Sequence, residues 1–503
     1  MKKRFLSLFL VFISLITSGF FLYSPAHAKS FPNSLHASSN TVIAATNNSL
    51  SIFYQQKIIW SSCETGFSCS HFLVPIDYSH PNKGSFSLAV VRREATNGGK
   101  KAPSIFVNPG GPGVPAINFL EGNFLDFTPE IRAQYNLVAF DERGTGRSGS
   151  FHCLSGAGWD QFLSFTADTS TIAGQKLAIH QFNLLAQGCK KALGKNISHY
   201  STMDTARDLD ILRSVLGNKK LNLIGESYGT YLGTIYSYLF PKLTGKMMLD
   251  GAVDPNQSAI DSNLQQAIGF EGDLNDFLAA NPKWSKKNIA DLIFQSEHSP
   301  LKDSHGRALD ANLLTTAIAF TLYEPQSGWP ILDDAITQAI TFKNPGYFLN
   351  LADQYNGRDR FGNYTSENDA MTTILCDDSN DRPSLATLMG YEKQYREASP
   401  TFGAEILYAP LVCTQWPTPA KTPPSPLTHI STGSSILVIG STRDPATPYQ
   451  SAINLSKILT RSRLLTLDAD GHTSTGRDNL CINQAVNNYF LKGVLPAVGT
   501  ICR

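Results

Sequence analysis

Apolar positions along this chain follow two rhythms. Between residues 61 and 255, compact runs of consecutive apolar and β-branched residues alternate with stretches whose apolar positions recur at helical spacing. The runs at 104–107, 137–140, 221–224 and 247–249 are of the compact kind. Unbroken apolar runs suit strands of a parallel sheet covered on both faces, with the intervening helices as the cover. Residues 205–216 carry one such helix, which stops at Gly217, a residue suited to a helix C-terminus.

Residues 256–428 read differently. Strand-like runs become scarce, and segments such as 264–278 and 313–323 are helical in pattern. The block ends in a proline-dense stretch from Trp416 to Pro426, which reads as a linker. Strand patterns then resume at 436–439 and 464–467. The pattern predicts an α/β sheet interrupted by a helical insertion and then completed. The expected boundaries are a first core part at 61–255, a helical cap at 256–428 and a C-terminal core part at 429–503, with a loosely held Ser-, Asn- and Ala-rich leader at 29–60.

The N-terminus adds a compartment. Lys2, Lys3 and Arg4 precede a mostly apolar run from Phe5 to Tyr23, and Ala26-His27-Ala28 follows. A positive start, an apolar stretch and small residues at a cleavage site make a secretory signal peptide over 1–28. An uncleaved anchor is the competing reading, but Ser14, Thr17, Ser18 and Gly19 dilute the run. The mature protein is therefore expected to be secreted or periplasmic, without stable membrane insertion. All eight cysteines lie beyond residue 28, and an even number in an exported chain suggests disulfides. Nearest-neighbour pairing gives Cys63–Cys69, Cys153–Cys189, Cys376–Cys413 and Cys481–Cys502. A zinc site is disfavoured, because no C-x-x-C pair or Cys/His cluster has ligand spacing. The formal net charge of +1 argues against a nucleic-acid partner.

The sharpest local signal is Gly225-Glu226-Ser227-Tyr228-Gly229, a G-x-S-x-G sequence between the run 221–224 and a helical segment at 230–239. A strand-to-helix turn of this kind raises a serine hydroxyl above the sheet and aims a helix N-terminus at it. A serine nucleophile needs a base, and the base needs an acid to orient it. His472 follows the run 464–467, and Asp444 follows 436–439. The order Ser227, Asp444, His472 is that of the α/β-hydrolase fold, and both partners lie just past strand ends. Asp250 and Asp254 are rival acids. The oxyanion donors are expected at the N–H of Tyr228 and in the loop Asn108-Pro109-Gly110-Gly111-Pro112-Gly113.

Taken together, that loop, Asp141-Glu142-Arg143-Gly144-Thr145-Gly146-Arg147-Ser148 and the Ser227 motif resemble the prolyl aminopeptidase family of α/β-hydrolases. The secreted tripeptidyl aminopeptidase branch is more similar still, with Asn-Pro at 108–109, Trp60 and Cys63 ahead of Val74-Pro75-Ile76-Asp77-Tyr78, and Gly471-His472 before the Cys481 to Cys502 tail. The resemblance implies Ser227, Asp444 and His472 as the triad, with Gly111 and Tyr228 as oxyanion donors. Its fold is the α/β-hydrolase fold with a mainly parallel central sheet and a mostly helical cap insertion. It also implies peptide substrates with free N-termini, whose ammonium needs carboxylates; Glu226, Asp377 and Asp378 are the candidates. Arg143 and Arg147 read as braces for their own loop. No metal and no organic cofactor is implied. Two alternatives accompany this reading: a secreted esterase or lipase using the same triad, and a non-catalytic binding protein on a hydrolase fold.

Overall fold

The computed structural model describes residues 50–64 and 66–503, together with a two-residue strand at Leu6–Ser7. The expected signal peptide and the first part of the leader otherwise lie outside the described residues. Residues 50–60 belong to the folded body: Phe53 is buried, the Tyr54 hydroxyl donates to Asp210, and the Gln56 amide exchanges hydrogen bonds with the Leu73 backbone. Among the described residues no helix is long and apolar enough to cross a membrane.

Ten strands form one sheet. In chain order they are β1 (Ser61–Ser62), β2 (Phe67–Pro75), β3 (Ser85–Arg93), β4 (Ser104–Asn108), β5 (Asn136–Phe140), β6 (Leu221–Glu226), β7 (Thr244–Asp250), β8 (Ile436–Arg443), β9 (Ser462–Asp470) and β10 (Ile501–Cys502). Their order across the sheet is β10-β9-β8-β7-β6-β4-β5-β3-β2-β1. From β10 to β5 every pairing is parallel, and the pairs made by β3 with β5 and β2, and by β2 with β1, are antiparallel. The central parallel strands are the compact apolar runs, buried on both faces: β4 and β5 are buried at every position.

Helices cover both faces. Those that bear on the site are α1 (Ile172–Leu193), α2 (Thr202–Val215), α3 (Tyr228–Leu239), α4 (Ala259–Ala280), α5 (Ala311–Leu322) and α6 (Glu367–Asp378). Their starts are set locally. The side chains of Thr171, Ser201, Ser258 and Asp310 each accept an N–H from the first turn of α1, α2, α4 and α5 respectively. Two apolar clusters sandwich the sheet, and a third, separate one forms the heart of the helical layer. That third cluster is wider than the pattern 256–428 suggests. Trp159, Phe162, Phe182 and Leu185 pack in it together with Phe270, Leu314 and Tyr395, so the segment 153–197 joins the cap helices rather than the sheet.

The cysteines are paired as Cys63–Cys69, Cys153–Cys189, Cys376–Cys413 and Cys481–Cys502. The second and third of these staple the helical layer. Asp369 of α6 reinforces it by accepting the Cys153 N–H at 2.8 Å and the Trp159 indole N–H at 3.2 Å. The fourth holds the edge strand β10 to the C-terminal helix Leu480–Asn487.

Candidate active site

Ser227 occupies the turn between β6 and α3 with φ 54° and ψ −122°. A non-glycine residue there is strained, and the surroundings hold it: its N–H donates to the Asp250 carbonyl at 2.8 Å, and its own carbonyl accepts from the Thr230 N–H and hydroxyl. The flanking glycines are required by space. A Cβ on Gly225 would lie 2.5 Å from the Gly229 carbonyl oxygen, and one on Gly229 would lie 2.6 Å from the Asn108 oxygen. Close packing of that sort pins the serine at the mouth of α3, where the helix dipole favours negative charge.

His472 and Asp444 form a bonded pair past the ends of β9 and β8. His472 Nδ1 lies 2.8 and 2.9 Å from the two Asp444 carboxylate oxygens. Those oxygens also accept the N–H groups of Ala446 and Thr447, the Thr447 hydroxyl and, at 3.4 Å, the Thr473 N–H. So many donors fix the carboxylate, which in turn fixes the imidazole with Nε2 pointing away from the acid. The His472 N–H donates to the Tyr323 carbonyl at the end of α5, and the Tyr323 ring meets the imidazole edge-on at 5.5 Å. The cap thus grips the histidine directly.

Ser227 and His472 converge at Gly251. This residue follows the Asp250 carbonyl that holds Ser227, and a Cβ on it would come within 3.0 Å of His472 Cε1. Ser227 Oγ and His472 Nε2 are both buried, and neither has a hydrogen-bond partner among the described residues. Ser227, Asp444 and His472 are 0, 2 and 3% exposed, so the whole constellation is buried.

The glycine-rich loop lies against the turn from the other side. Asn108 anchors it: its side-chain oxygen accepts the Gly110 N–H at 3.0 Å, and its amide donates to Glu142 at 2.7 Å. A Cβ on Gly110 would be 2.6 Å from the Glu226 carbonyl and 3.0 Å from the Tyr228 nitrogen. Since Gly110 N–H is taken, Gly111 offers the next donor. No acceptor among the described residues takes the N–H of Gly111 or of Tyr228. Glu142 is buried, and burial pushes its carboxyl up to about 8.

The three candidate ammonium ligands are not brought together. Glu226 is fully buried beside Asp250 on the neighbouring strand, with burial first and Asp250 second in raising its carboxyl to about 8. Asp377 is buried and occupied, accepting from the Trp416 indole at 2.9 Å and the Tyr200 N–H at 3.1 Å. Asp378 accepts from the Thr202 N–H and hydroxyl, and that hydroxyl contacts the Tyr228 hydroxyl, so Asp378 is tied to the residue after Ser227. It is also the only one of the three with partial exposure. Arg143 and Arg147 brace their loop: Arg143 binds Asp208 and three backbone carbonyls, and Arg147 binds Glu121. Of the rival acids, Asp254 bonds to Asn454, and Asp250 serves the loop after His472.

Two contributors escape the reading of single motifs. Thr447 touches both Asp444 and His472 Nδ1. The signal is the spacing Asp444-Pro445-Ala446-Thr447, in which an aspartate accepts the N–H groups two and three residues on. Asp250 is the other; its spatial neighbours come from strand order, which no local spacing encodes.

Known proteins resemble this chain along most of its length. A family model described as TAP-like protein matches residues 399–502, the part that carries Asp444 and His472. The chain is 31% identical over 481 residues to the serine protease Hip1 of Mycobacterium tuberculosis, covering 89% of this chain and 91% of that protein. It is 31% identical over 470 residues to carboxylesterase B of the same organism, covering 88% and 89% respectively. It is 29% identical over 471 residues to the tripeptidyl aminopeptidase of Streptomyces lividans, covering 88% and 86%. With its mainly parallel sheet, its helical cap and relatives matched along most of their length, the chain belongs to the TAP-like family of serine hydrolases in the α/β-hydrolase superfamily.

Proposed function

We propose that the protein is an exported serine peptidase that releases short peptides or single residues from free N-termini through an acyl-enzyme on Ser227. The observation that carries this reading is the arrangement of His472 Nδ1 on both oxygens of Asp444, with Ser227 at positive φ and its N–H held by the carbonyl of Asp250, the residue before the Gly251 that packs on His472. In the proposed cycle His472 Nε2 accepts the Ser227 proton as Oγ attacks the carbonyl. The N–H groups of Gly111 and Tyr228 hold the oxyanion, and His472 returns the proton to the leaving amine. Water, deprotonated by the same imidazole, then frees the acyl group.

Four disulfides favour an oxidising compartment, in keeping with export to the periplasm or beyond. The buried site favours small or unfolded substrates over folded proteins. For the ammonium, Asp378 is the best-placed of the three carboxylates, being partly exposed and linked through Thr202 to Tyr228.

The test is a comparison of kcat/KM on peptide p-nitroanilides with free and acetylated N-termini. A preference of about tenfold or more for the free amine is expected, the value of one charge-assisted contact. Equal rates would remove the aminopeptidase assignment. One relative is named a carboxylesterase at the same identity as the protease. A p-nitrophenyl ester of the same acyl group belongs in the comparison, and activity confined to the ester would favour that second reading.

A further inference from the structure

Glu226 and Asp250 are directly paired across the parallel strands β6 and β7, which sets their side chains on the same face about 4.8 Å apart at the backbone. Both residues are completely buried. Asp250 performs two tasks. Its carbonyl accepts the Ser227 N–H at 2.8 Å. Its Oδ2 gathers four donors from the segment just after His472: the Ser474 N–H at 2.8 Å, the Ser474 hydroxyl at 2.7 Å, the Thr475 N–H at 3.2 Å and the Thr475 hydroxyl at 3.3 Å. A single residue therefore connects the nucleophile's backbone to the loop that carries the base.

The rest of this pair is unaccounted for. Asp250 Oδ1 and both Glu226 oxygens are buried without a hydrogen-bond partner among the described residues. Two adjacent buried carboxylates with three unsatisfied oxygens would be costly if both were ionised. One proton removes the difficulty, because a protonated Glu226 has a donor to give and Asp250 Oδ1 an acceptor to receive it.

We propose that Glu226 and Asp250 share one proton and act as a positioning pair, Glu226 capping Asp250 so that Asp250 holds the His472 loop against Ser227. Neither residue touches substrate. Glu226 is the proton's seat because the donors converge on Asp250: its Oδ2 accepts from Ser474 and Thr475, and the Ser474 N–H and hydroxyl stabilise the ionised form there. The surrounding charges agree. Glu226 faces Asp250 and, more distantly, Asp126, which itself faces Asp478; the Thr475 hydroxyl, shared with Asp250, is the one group beside Glu226 that favours its ionised form. Asp250 faces Arg477 and Asp444, and Arg477 is already committed to the carbonyls of Asp470 and His472. No cation stands beside Glu226 in this set. Its proton is lost only near pH 8, where burial and Asp250 have moved its titration. Above that pH the pair carries two charges, and the His472 loop loses its fixed anchor.

The kinetic half of this inference rests on the serine peptidase reading; the stability half does not. Two quantities are measured for the wild type and Glu226→Gln: kcat from pH 6 to 10, and the thermal midpoint from pH 4 to 9. The glutamine amide donates at every pH, so the variant should keep its kcat to pH 9.5, where the wild type has fallen by about tenfold. The sign for stability follows from a carboxyl raised in the folded state. Its contribution is present in full below the unfolded value and is lost as pH rises to the folded one. The thermal midpoint of Glu226→Gln relative to wild type should therefore climb between about pH 4.5 and 8 and level off above. Superimposable pH profiles of kcat would overturn the positioning role. A midpoint difference independent of pH would overturn the shared proton. If neither protein hydrolysed any peptide or ester, the peptidase reading would fall while the midpoint test still decided the pair.

Discussion

Asp444→Asn should lower kcat on any accepted substrate by about 10⁴-fold while leaving the fold intact. The reason is specific to the donors here. Oδ1 of Asp444 accepts two backbone N–H groups, from Ala446 and Thr447, so an asparagine would place its amide oxygen there. Its NH2 would then take the Oδ2 position, 2.9 Å from His472 Nδ1. A donor in that place demands a bare Nδ1, which moves the imidazole proton to Nε2. The ring atom that should accept the Ser227 proton would already carry one. KM should change far less than kcat, because no substrate contact is removed. Steady-state kinetics with circular dichroism on the same preparation check this; a loss under tenfold would show that Asp444 does not set the tautomer.

Arg143→Met should cost about 3–5 kcal/mol of stability, measured by urea unfolding at neutral pH. Arg143 is completely buried and donates to both Asp208 oxygens at 2.6 and 2.7 Å, and to the carbonyls of Pro75, Ile76 and His199. The rings of Tyr78 and Phe86 flank the guanidinium. Removing it strands a buried carboxylate that burial already pushes up in pKa against the pull of Arg143. Without the arginine the folded-state value rises further, so the deficit is smallest at low pH, where Asp208 is protonated in both states, and grows as pH rises. A second change, Asp208→Leu, should recover part of the loss by removing the orphan. A deficit that did not vary with pH would point to lost packing rather than lost charge pairing.

The sheet was legible because its strands announce themselves as unbroken apolar runs. The observed strands extend those runs by a residue or more, as at β6, where Gly225 and Glu226 continue the ladder up to Ser227. The Ser227 turn was legible for a related reason: glycines on either side of a serine after a strand leave few other structures open. Chain order and strand ends then singled out Asp444 and His472, which meet at hydrogen-bonding distance. The segment 153–197 lies within the range expected for the sheet, yet its helices pack in the cap cluster. Its helices have ordinary apolar faces, and a face does not say which layer it meets; Cys153–Cys189 and the Asp369 contacts take it into the cap. Glu226 neighbours Ser227 in sequence, which suggests a place beside the substrate amine. Alternation along β6 and its pairing with Asp250, twenty-four residues later, bury it instead. Asp378 gains its link to Tyr228 only through Thr202, a contact between segments 176 residues apart.

Peptide mapping by mass spectrometry after reaction with a fluorophosphonate decides whether Ser227 is the nucleophile. A single phosphonyl adduct is expected on the peptide containing Ser227, formed rapidly by the wild type and slowed by several orders of magnitude in His472→Ala. An adduct on another residue, or labelling of Ser227 at the same rate without His472, would contradict that assignment.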